Sequence, residues 1–502
     1  MRSRQIRFPR RALLLATAAL GALSVGASAK DLPATPEGAK KVSAFLETFV
    51  GKPAAGATSS IVVTPESADY LVAVDIGALA APLKSAGVSY DAAVLKFKAI
   101  EQDDGAWRIE QSDFPTVVAH SKRADTPVDS TIAVTGLKTV LVIDPAISWV
   151  RSGQGSGDKV SVRTHGPGIE QTVDFGPLQA TATSKASADG ALSTNVQESV
   201  GAFGLTMTVD PKAASQGANP DAKPVAIAAQ ADGAAVELKL DGVKPRPLLD
   251  LWAFLVAHPS RPELAANEAQ LKTLLTAALA SPLSLDENFA MKKLTVQTPQ
   301  GPLAFDGVKA GIGGAAAGSA SRFEERFSAS GLTLPPGLVP AMFHDLVPTS
   351  FDVGFKVSGF DLTAASAEAI ADMHLAGDAP PISEEDNAKV WAKLTGAGPA
   401  LIDIPPSHVV APQLDIAFEG RVRYQQGAKP SGTFTVHMRN FEKTQAALKG
   451  LGPETEKKLV PVLAMAKGLA KTDGDGALTW VGELGADGMM KVNGLPLGKA
   501  PL

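Results

Sequence analysis

The chain contains no cysteine, and that absence removes whole classes of chemistry. It can have no thiol nucleophile, thiolate metal centre, redox pair or disulfide, so stability must come from burial and hydrogen bonding. A lipoprotein anchor is excluded for the same reason. At 502 residues the chain is long enough to bury substantial cores and to divide into two or three domains. Histidine is scarce: His120, His165, His258, His344, His374, His408 and His437 are the full set, and no two stand three or four residues apart as helical metal ligands would. No G-x-S-x-G elbow supplies a hydrolase nucleophile. Beyond the first thirty residues no apolar run approaches the ~20 residues of a spanning helix. The nearest, Leu248 to Val256, is interrupted by Asp250 and reads as a buried helix. Positive charge is also short, with 47 Lys+Arg against 52 Asp+Glu. Setting aside five arginines at the start leaves 42 against 52, a net of about −10. With no basic cluster and interleaved aromatics, nucleic acid is not an expected partner.

Those five arginines, Arg2, Arg4, Arg7, Arg10 and Arg11, form a basic leader without acidic residues. The apolar run Ala12 to Val25 follows, then Ala27-Ser28-Ala29, which fits the small-x-small rule for signal cleavage near Ala29/Lys30. Residues 1–29 therefore read as a signal peptide, and the expected location is the periplasm or cell envelope. Arg10-Arg11-Ala12-Leu13-Leu14 also resembles a twin-arginine signal, so the general and twin-arginine routes both stay open, as does retention of the leader as an anchor.

Period-two alternation dominates the rest, the mark of strands with one face on a core and one in water. Leu95, Phe97 and Ala99 alternate with Lys96 and Lys98; after Asp104-Gly105, Trp107 and Ile109 alternate with Arg108 and Glu110. Asp487-Gly488, between Leu478-Trp480 and Met490-Val492, and Asp232-Gly233, before Val236, Leu238 and Leu240, predict two further hairpins. Helices interrupt the strands. Ser260 and Glu263 make a capping box that continues into Leu271, Leu274, Leu275 and Ala278. Ser383 opens another helix, acidic at Glu384, Glu385 and Asp386 and followed by Gly396. A third runs from Pro453 through Leu459, Val462, Leu463 and Ala466, with Pro461 as a kink site.

An internal echo links Val236-Leu238-Leu240-Gly242-Val243, Val353-Phe355-Val357-Gly359-Phe360 and Phe434-Val436-Met438-Asn440-Phe441, each before helix-forming sequence. A shorter version lies at Ile132, Val134, Gly136 and Leu137. Many strands stop at a residue tolerant of positive φ, and the irregular spacings argue against a solenoid, so a duplicated strand-turn-helix unit and a common stop signal both stand. Lys212 to Lys223 and Gly311 to Ser321 have the small, polar composition of flexible connections. They divide the chain into a β-rich domain (30–215), a middle α+β segment (222–312) and a C-terminal α+β domain (321–502).

Chemistry-bearing motifs are sparse. Gly311, Gly313 and Ala316 imitate part of a dinucleotide fingerprint, but the following Arg322 to Leu334 reads as a strand where a helix is required. Ser156 with Lys159 forms S-x-x-K, and Ser193 with Asn195 forms S-x-N, yet Ser156 lies in a glycine-rich stretch read as a loop. Asp473 and Asp475 begin like a calcium loop, but the fifth and twelfth positions hold Ala477 and Leu484. His258, beside Pro259 at a helix end, reads as a partner of the helix dipole. No residue is assigned as catalytic, cofactor-binding or metal-ligating, and no cofactor is expected.

From Ile404 onward the chain holds IPPSHVVAPQLDIAFEGRVRY, GTFTVHMRNFEK and GALTWVGELGADGMMKVNGLPLG, closing on Val492-Asn493-Gly494-Leu495-Pro496. This region resembles a bacterial envelope family, domain of unknown function 2125, and more distantly the YdgA-like and AsmA-like proteins. The resemblance implies an N-terminal signal or anchor and long antiparallel sheets, and supplies no catalytic residue. The expected fold is α+β, with long, largely antiparallel twisted sheets, several helices on one side and two or three subdomains. The expected function is non-enzymatic: binding a lipid or other apolar ligand on a curved sheet. The alternatives are a scaffold docking another envelope protein, or a hydrolase whose site is assembled from distant residues.

Overall fold

The computed structural model describes residues 29–50, 59–80, 87–123, 126–210, 223–280, 282–377, 379–396, 398–425, 427–449 and 453–499. Most of the proposed leader and residues 212–222 of the first proposed connection lie outside them. Strand exceeds helix by 53% to 23%, and the sheet is mostly antiparallel, so the α+β expectation holds. Contacts divide the chain into two units, Met1–Gly201 and Ala202–Leu502.

The first unit is a meander in which several long strands are interrupted. Its described elements are helix α1 (Pro36–Val50), a single helical turn at Ile76–Leu79, and strands β1 (Ile61–Glu66), β2 (Asp69–Asp75), β3 (Val88–Tyr90), β4 (Val94–Glu101), β5 (Trp107–Gln111), β6 (Val117–Arg123), β7 (Thr126–Thr135), β8 (Lys138–Asp144), β9 (Trp149–Gly157), β10 (Lys159–Gly166), β11 (Ile169–Ala186) and β12 (Leu192–Val209), the last containing the division. β7 and β8 form one line broken at Gly136-Leu137, and β9 and β10 another broken at Asp158. Thr135 pairs with Lys159 and Lys138 with Ser156 in one unbroken register. Across β11 the pairs Val160–Phe175 and Gly157–Leu178 bracket Gly176-Pro177 at the same level. The breaks thus align into a crease. Its glycines are obligatory: a Cβ on Gly136 (φ 65°) would lie 2.1 Å from the Asp158 carboxylate, and one on Gly176 (φ 154°) 2.2 Å from the Asp158 carbonyl. At one end α1 seats Ala39 and Val42 on Ile61, Tyr70, Val72 and Ala99, and the Tyr70 hydroxyl accepts the Thr35 N–H at 3.0 Å.

The second unit extends the same grammar. Its strands are β13 (Val225–Ala231), β14 (Gly233–Val243), β15 (Leu283–Thr298), β16 (Gly301–Ala316), β17 (Ser321–Ser330), β18 (Ser350–Phe360), β19 (Ala400–Ala411), β20 (Leu414–Tyr424), β21 (Ser431–Arg439), β22 (Lys471–Thr472), β23 (Leu478–Leu484), β24 (Met489–Val492) and β25 (Leu495–Lys499). From β14 to β21 each strand pairs with the next one in the chain, and β21 then pairs with β23. Helices enter at three places: α2 (Pro245–Ala257), α3 (Arg261–Ala266) and α4 (Glu268–Leu279) after β14, α5 (Leu362–Ala371) and α6 (Glu384–Thr395) after β18, and α7 (Phe441–Lys449) and α8 (Pro453–Leu469) after β21.

These insertions give the internal echo a geometric basis. Gly242, Gly359 and Asn440 all take positive φ, 84°, 80° and 59°, and each turns a strand toward a helix. The first two are matched further: a Cβ there would strike the carbonyl of Pro282 or Pro399, the residue leading into β15 or β19. Gly136 is also at positive φ, but it makes the crease and no helix follows.

Several local expectations hold. The Asp104-Gly105 and Asp487-Gly488 hairpins form, with Gly105 and Gly488 at φ 83° and 82°. The Ser260 capping box is complete, Ser383 caps α6, and the third expected helix forms as α8 with Pro461 inside it. Other expectations are corrected. Asp232-Gly233 is no hairpin: β13 and β14 are collinear, and both pair with β15 in one register, Ala228–Gln297 and Gly233–Lys292. Gly311 to Ser321 is no flexible connection. Gly311 to Ala316 belongs to β16, paired on both sides, where small residues sit against longer side chains such as Glu324 opposite Gly313. The helix expected from Ser260 breaks at Asn267, which caps α3 and whose amide donates to the Glu263 carbonyl at 2.9 Å. The helix at Leu248 to Val256 buries Phe254 but exposes Leu248, Trp252 and Leu255. Ser156 lies in strand β9.

Candidate functional site

Alternation across the second unit sorts its side chains onto two unlike faces. Residues directly opposite in adjacent strands share a face, so the register can be followed across the sheet. Val236 pairs with Phe289, Phe289 with Ala310, Ala310 with Phe327 and Phe327 with Val353. Val357 pairs with Ile402, which pairs with Val422; Ile404 pairs with Gly420, which pairs with Phe434; Phe418 pairs with Val436, which pairs with Trp480. Pro405-Pro406 would break this order, since proline cannot donate to the ladder. A bulge between Ile404 and Ser407 absorbs them and keeps Ile404 and Val409 on one side.

The resulting face is apolar over β18–β21, where it bears no charged residue, while Glu287 of β15 and Glu325 of β17 stand on it in the row Leu238–Glu287–Ile312–Glu325–Phe355. Phe323 stacks on Phe355 at 5.8 Å, Phe327 on Phe351 at 5.5 Å and Phe418 near Phe434 at 6.2 Å. Gly420 makes room for the Phe434 ring, whose edge would lie 2.6 Å from a Cβ there. Toward β23 the face is covered: Phe441 and Leu463 of α7 and α8 pack on Met438, Leu478 and Trp480, and the Trp480 N–H donates to the Ala466 carbonyl at 2.7 Å. Phe327, Phe355, Ile402, Val422, Tyr424 and Phe434 retain 36–46% of their accessible surface. None of these six belongs to a buried cluster.

The opposite face is charged and largely self-neutralised. Arg326 holds both Asp352 oxygens at 2.8 Å, Arg421 pairs with Asp403, Arg439 with Asp475 at 2.8 Å, and His408 Nε2 lies 2.7 Å from Asp415. The Asp352 carboxylate raises the Arg326 pKa, and Arg439 lowers that of Asp475. Within this face is a cavity of about 280 Å³. One cross-strand row, Lys309–Ser328–Asp352–His408, lines it together with the adjoining row Gly307–Ser330–Ser350 and with Ala329 and Phe351, which lie between the two rows. The cavity brings serine, aspartate and histidine together without linking them as a relay. Asp352 is held by Arg326, His408 by Asp415, and among the described residues no serine hydroxyl bonds His408.

The motifs singled out in the sequence fall elsewhere. Gly311 and Gly313 lie inside β16, Ser156 and Lys159 flank the Asp158 break, and Ser193 and Asn195 start β12. Asp473 and Asp475 form a turn before β23 in which Thr479 donates to Asp473 and the Ala477 N–H to Asp475. His258 places Nδ1 2.8 Å from the Phe254 carbonyl at the end of α2. Among the described residues no group of three or more His, Asp and Glu could hold a metal ion, and no helix is long and apolar enough to cross a membrane. The apolar face and the cavity were both missed as residue sets. The usable signal was the alternation in Val353-Phe355-Val357 and Phe434-Val436-Met438, but the register joining them is not written locally. No family model, curated protein or solved structure matches the chain.

Proposed function

We propose that this is a non-enzymatic, exported envelope protein that holds an acyl chain or similar apolar ligand on the open face of β18–β21. The observation that supports this is the uncharged, aromatic-rich surface around Phe355, Ile402, Val422 and Phe434, left uncovered while the neighbouring end is capped by α7 and α8. An exposed apolar patch is costly in water, and a ligand that covers it removes that cost. An acyl chain suits a face that offers no side-chain charge across four strands; a folded partner would bring polar groups needing hydrogen-bond counterparts. The arginine-rich leader and its apolar run support export. Mature protein purified from the envelope and extracted with organic solvent is expected to release lipid in near-stoichiometric amount by mass spectrometry. Repeated extraction without lipid overturns the proposal.

A second reading, a scaffold docking another envelope protein, draws on Trp252 and Trp391, 57% and 58% exposed on α2 and α6. Tryptophan is enriched among residues that dominate protein interfaces. In-cell crosslinking from positions 252 and 391 is expected, on that reading, to trap one dominant partner; a chain that stays uncrosslinked refutes it.

A further inference from the structure

We propose that the cavity on the charged face of the second unit binds a phosphate-type oxyanion. The ammonium of Lys309 lines it and makes no ion pair or hydrogen bond among the described residues, in contrast to Arg322, Arg326, Arg421 and Arg439 on the same face. The hydroxyls of Ser328, Ser330 and Ser350 line the same space and are likewise without a protein partner among the described residues. An unpaired cation beside three free hydroxyl donors suits a tetrahedral oxyanion, which accepts at every oxygen.

The sign of the ligand follows from Asp352. It is the one carboxylate lining the cavity, and both its oxygens are taken by Arg326 at 2.8 Å. No carboxylate in the lining is left to hold a cation. His408, fixed through Nε2 to Asp415, closes the row beside Asp352. A volume of about 280 Å³ lies just under the usual range for drug-sized ligands, which suits one small anionic group. The Pro405-Pro406 bulge next to His408 is a further sign of a shaped site, since bulges gather where a sheet re-aims side chains.

The test is isothermal titration of the mature chain with inorganic phosphate, alongside Lys309→Met and Lys239→Met. Lys239 lies on β14 and pairs with Glu237, so the second variant removes the same charge away from the cavity. Saturable one-site binding that weakens at least tenfold in Lys309→Met, and less than twofold in Lys239→Met, supports the proposal. Absence of saturable binding of phosphate and of phosphatidic acid vesicles, or an equal loss in both variants, overturns it. Binding to the vesicles alone, with the same dependence on Lys309, assigns the oxyanion to a lipid headgroup; binding to free phosphate assigns it to a soluble ligand. A Ser328→Ala/Ser350→Ala double variant separates the site from general attraction to Lys309: affinity should fall with no change in net charge. Unchanged far-UV circular dichroism confirms that each variant is folded.

Discussion

At the residue scale, tight backbone approaches do much of the work of shaping this protein. Gly359 at φ 80° faces the Pro399 carbonyl, so Gly359→Ala combines left-handed strain with a steric clash. It is expected to destabilise the protein by about 2–4 kcal/mol in urea titration. Gly87→Ala, at a similar φ of 77° but with nothing within 4 Å, should cost only about 1 kcal/mol. Equal losses at the two positions would show that the strand-to-helix turn is not tightly packed. A second residue-scale device lies in the first unit, where His120 is clamped between Asp129 at 2.8 Å and Asp91 at 2.9 Å. Hydrogen bonds to these two carboxylates raise its pKa above the ordinary 6.5. The protonated folded form is favoured, so this contribution is complete below 6.5 and is lost as pH rises through the raised folded value. Urea midpoints of the wild type should fall across that window more than those of His120→Asn; parallel profiles would rule the clamp out as a source of pH dependence.

At the element scale, strands and caps were legible where the signal is local, and not where a distant strand decides. The Ser260–Glu263 box, the Ser383 cap and the Asp104-Gly105 turn are each settled within a few residues. Ser260→Ala is accordingly expected to lower stability by about 1 kcal/mol, measured as a shift of the urea midpoint. A change within error would mean that α3 is held by packing of Leu264 and Ala265 alone. Asp232-Gly233 carried an equally strong local turn signal and was misread. β15, about sixty residues on, templates β13 and β14 as one line, and tertiary pairing overrides the dipeptide. Gly311 to Ala316 was misread for a related reason: small residues look like a linker in isolation, but in the sheet they leave space for Glu324 and Asn288. The three strand-turn-helix units were visible as an echo because positive φ at Gly242, Gly359 and Asn440 is a backbone demand that only a few residue types meet.

At the scale of the whole molecule, neither candidate site could be read in full from the sequence, because each is built from rows across strands. Lys309, Ser328, Asp352 and His408 are separated by tens of residues and meet only through three successive registers. The apolar face was half legible: one-sided strands were expected, and their open surface was the reason to expect a ligand. What required the structure was knowing that α7 and α8 cover one end and leave Phe355, Ile402 and Phe434 open. Because those side chains are only partly buried, Ile402→Gln/Phe434→Gln should cost at most about 2 kcal/mol of stability in urea titration while weakening an acyl-chain fluorophore at least tenfold, equivalent to about 1.4 kcal/mol or more. Retained affinity would place the ligand elsewhere. The most direct test is photo-crosslinking with a fatty acid bearing a diazirine on its chain, followed by residue-level mapping by mass spectrometry. Adducts are expected on Phe355, Ile402, Val422 and Phe434. Labelling confined to the charged side, at residues such as Arg326, Arg421 and Glu324, or no labelling above background, would contradict the assignment of this face as the ligand surface.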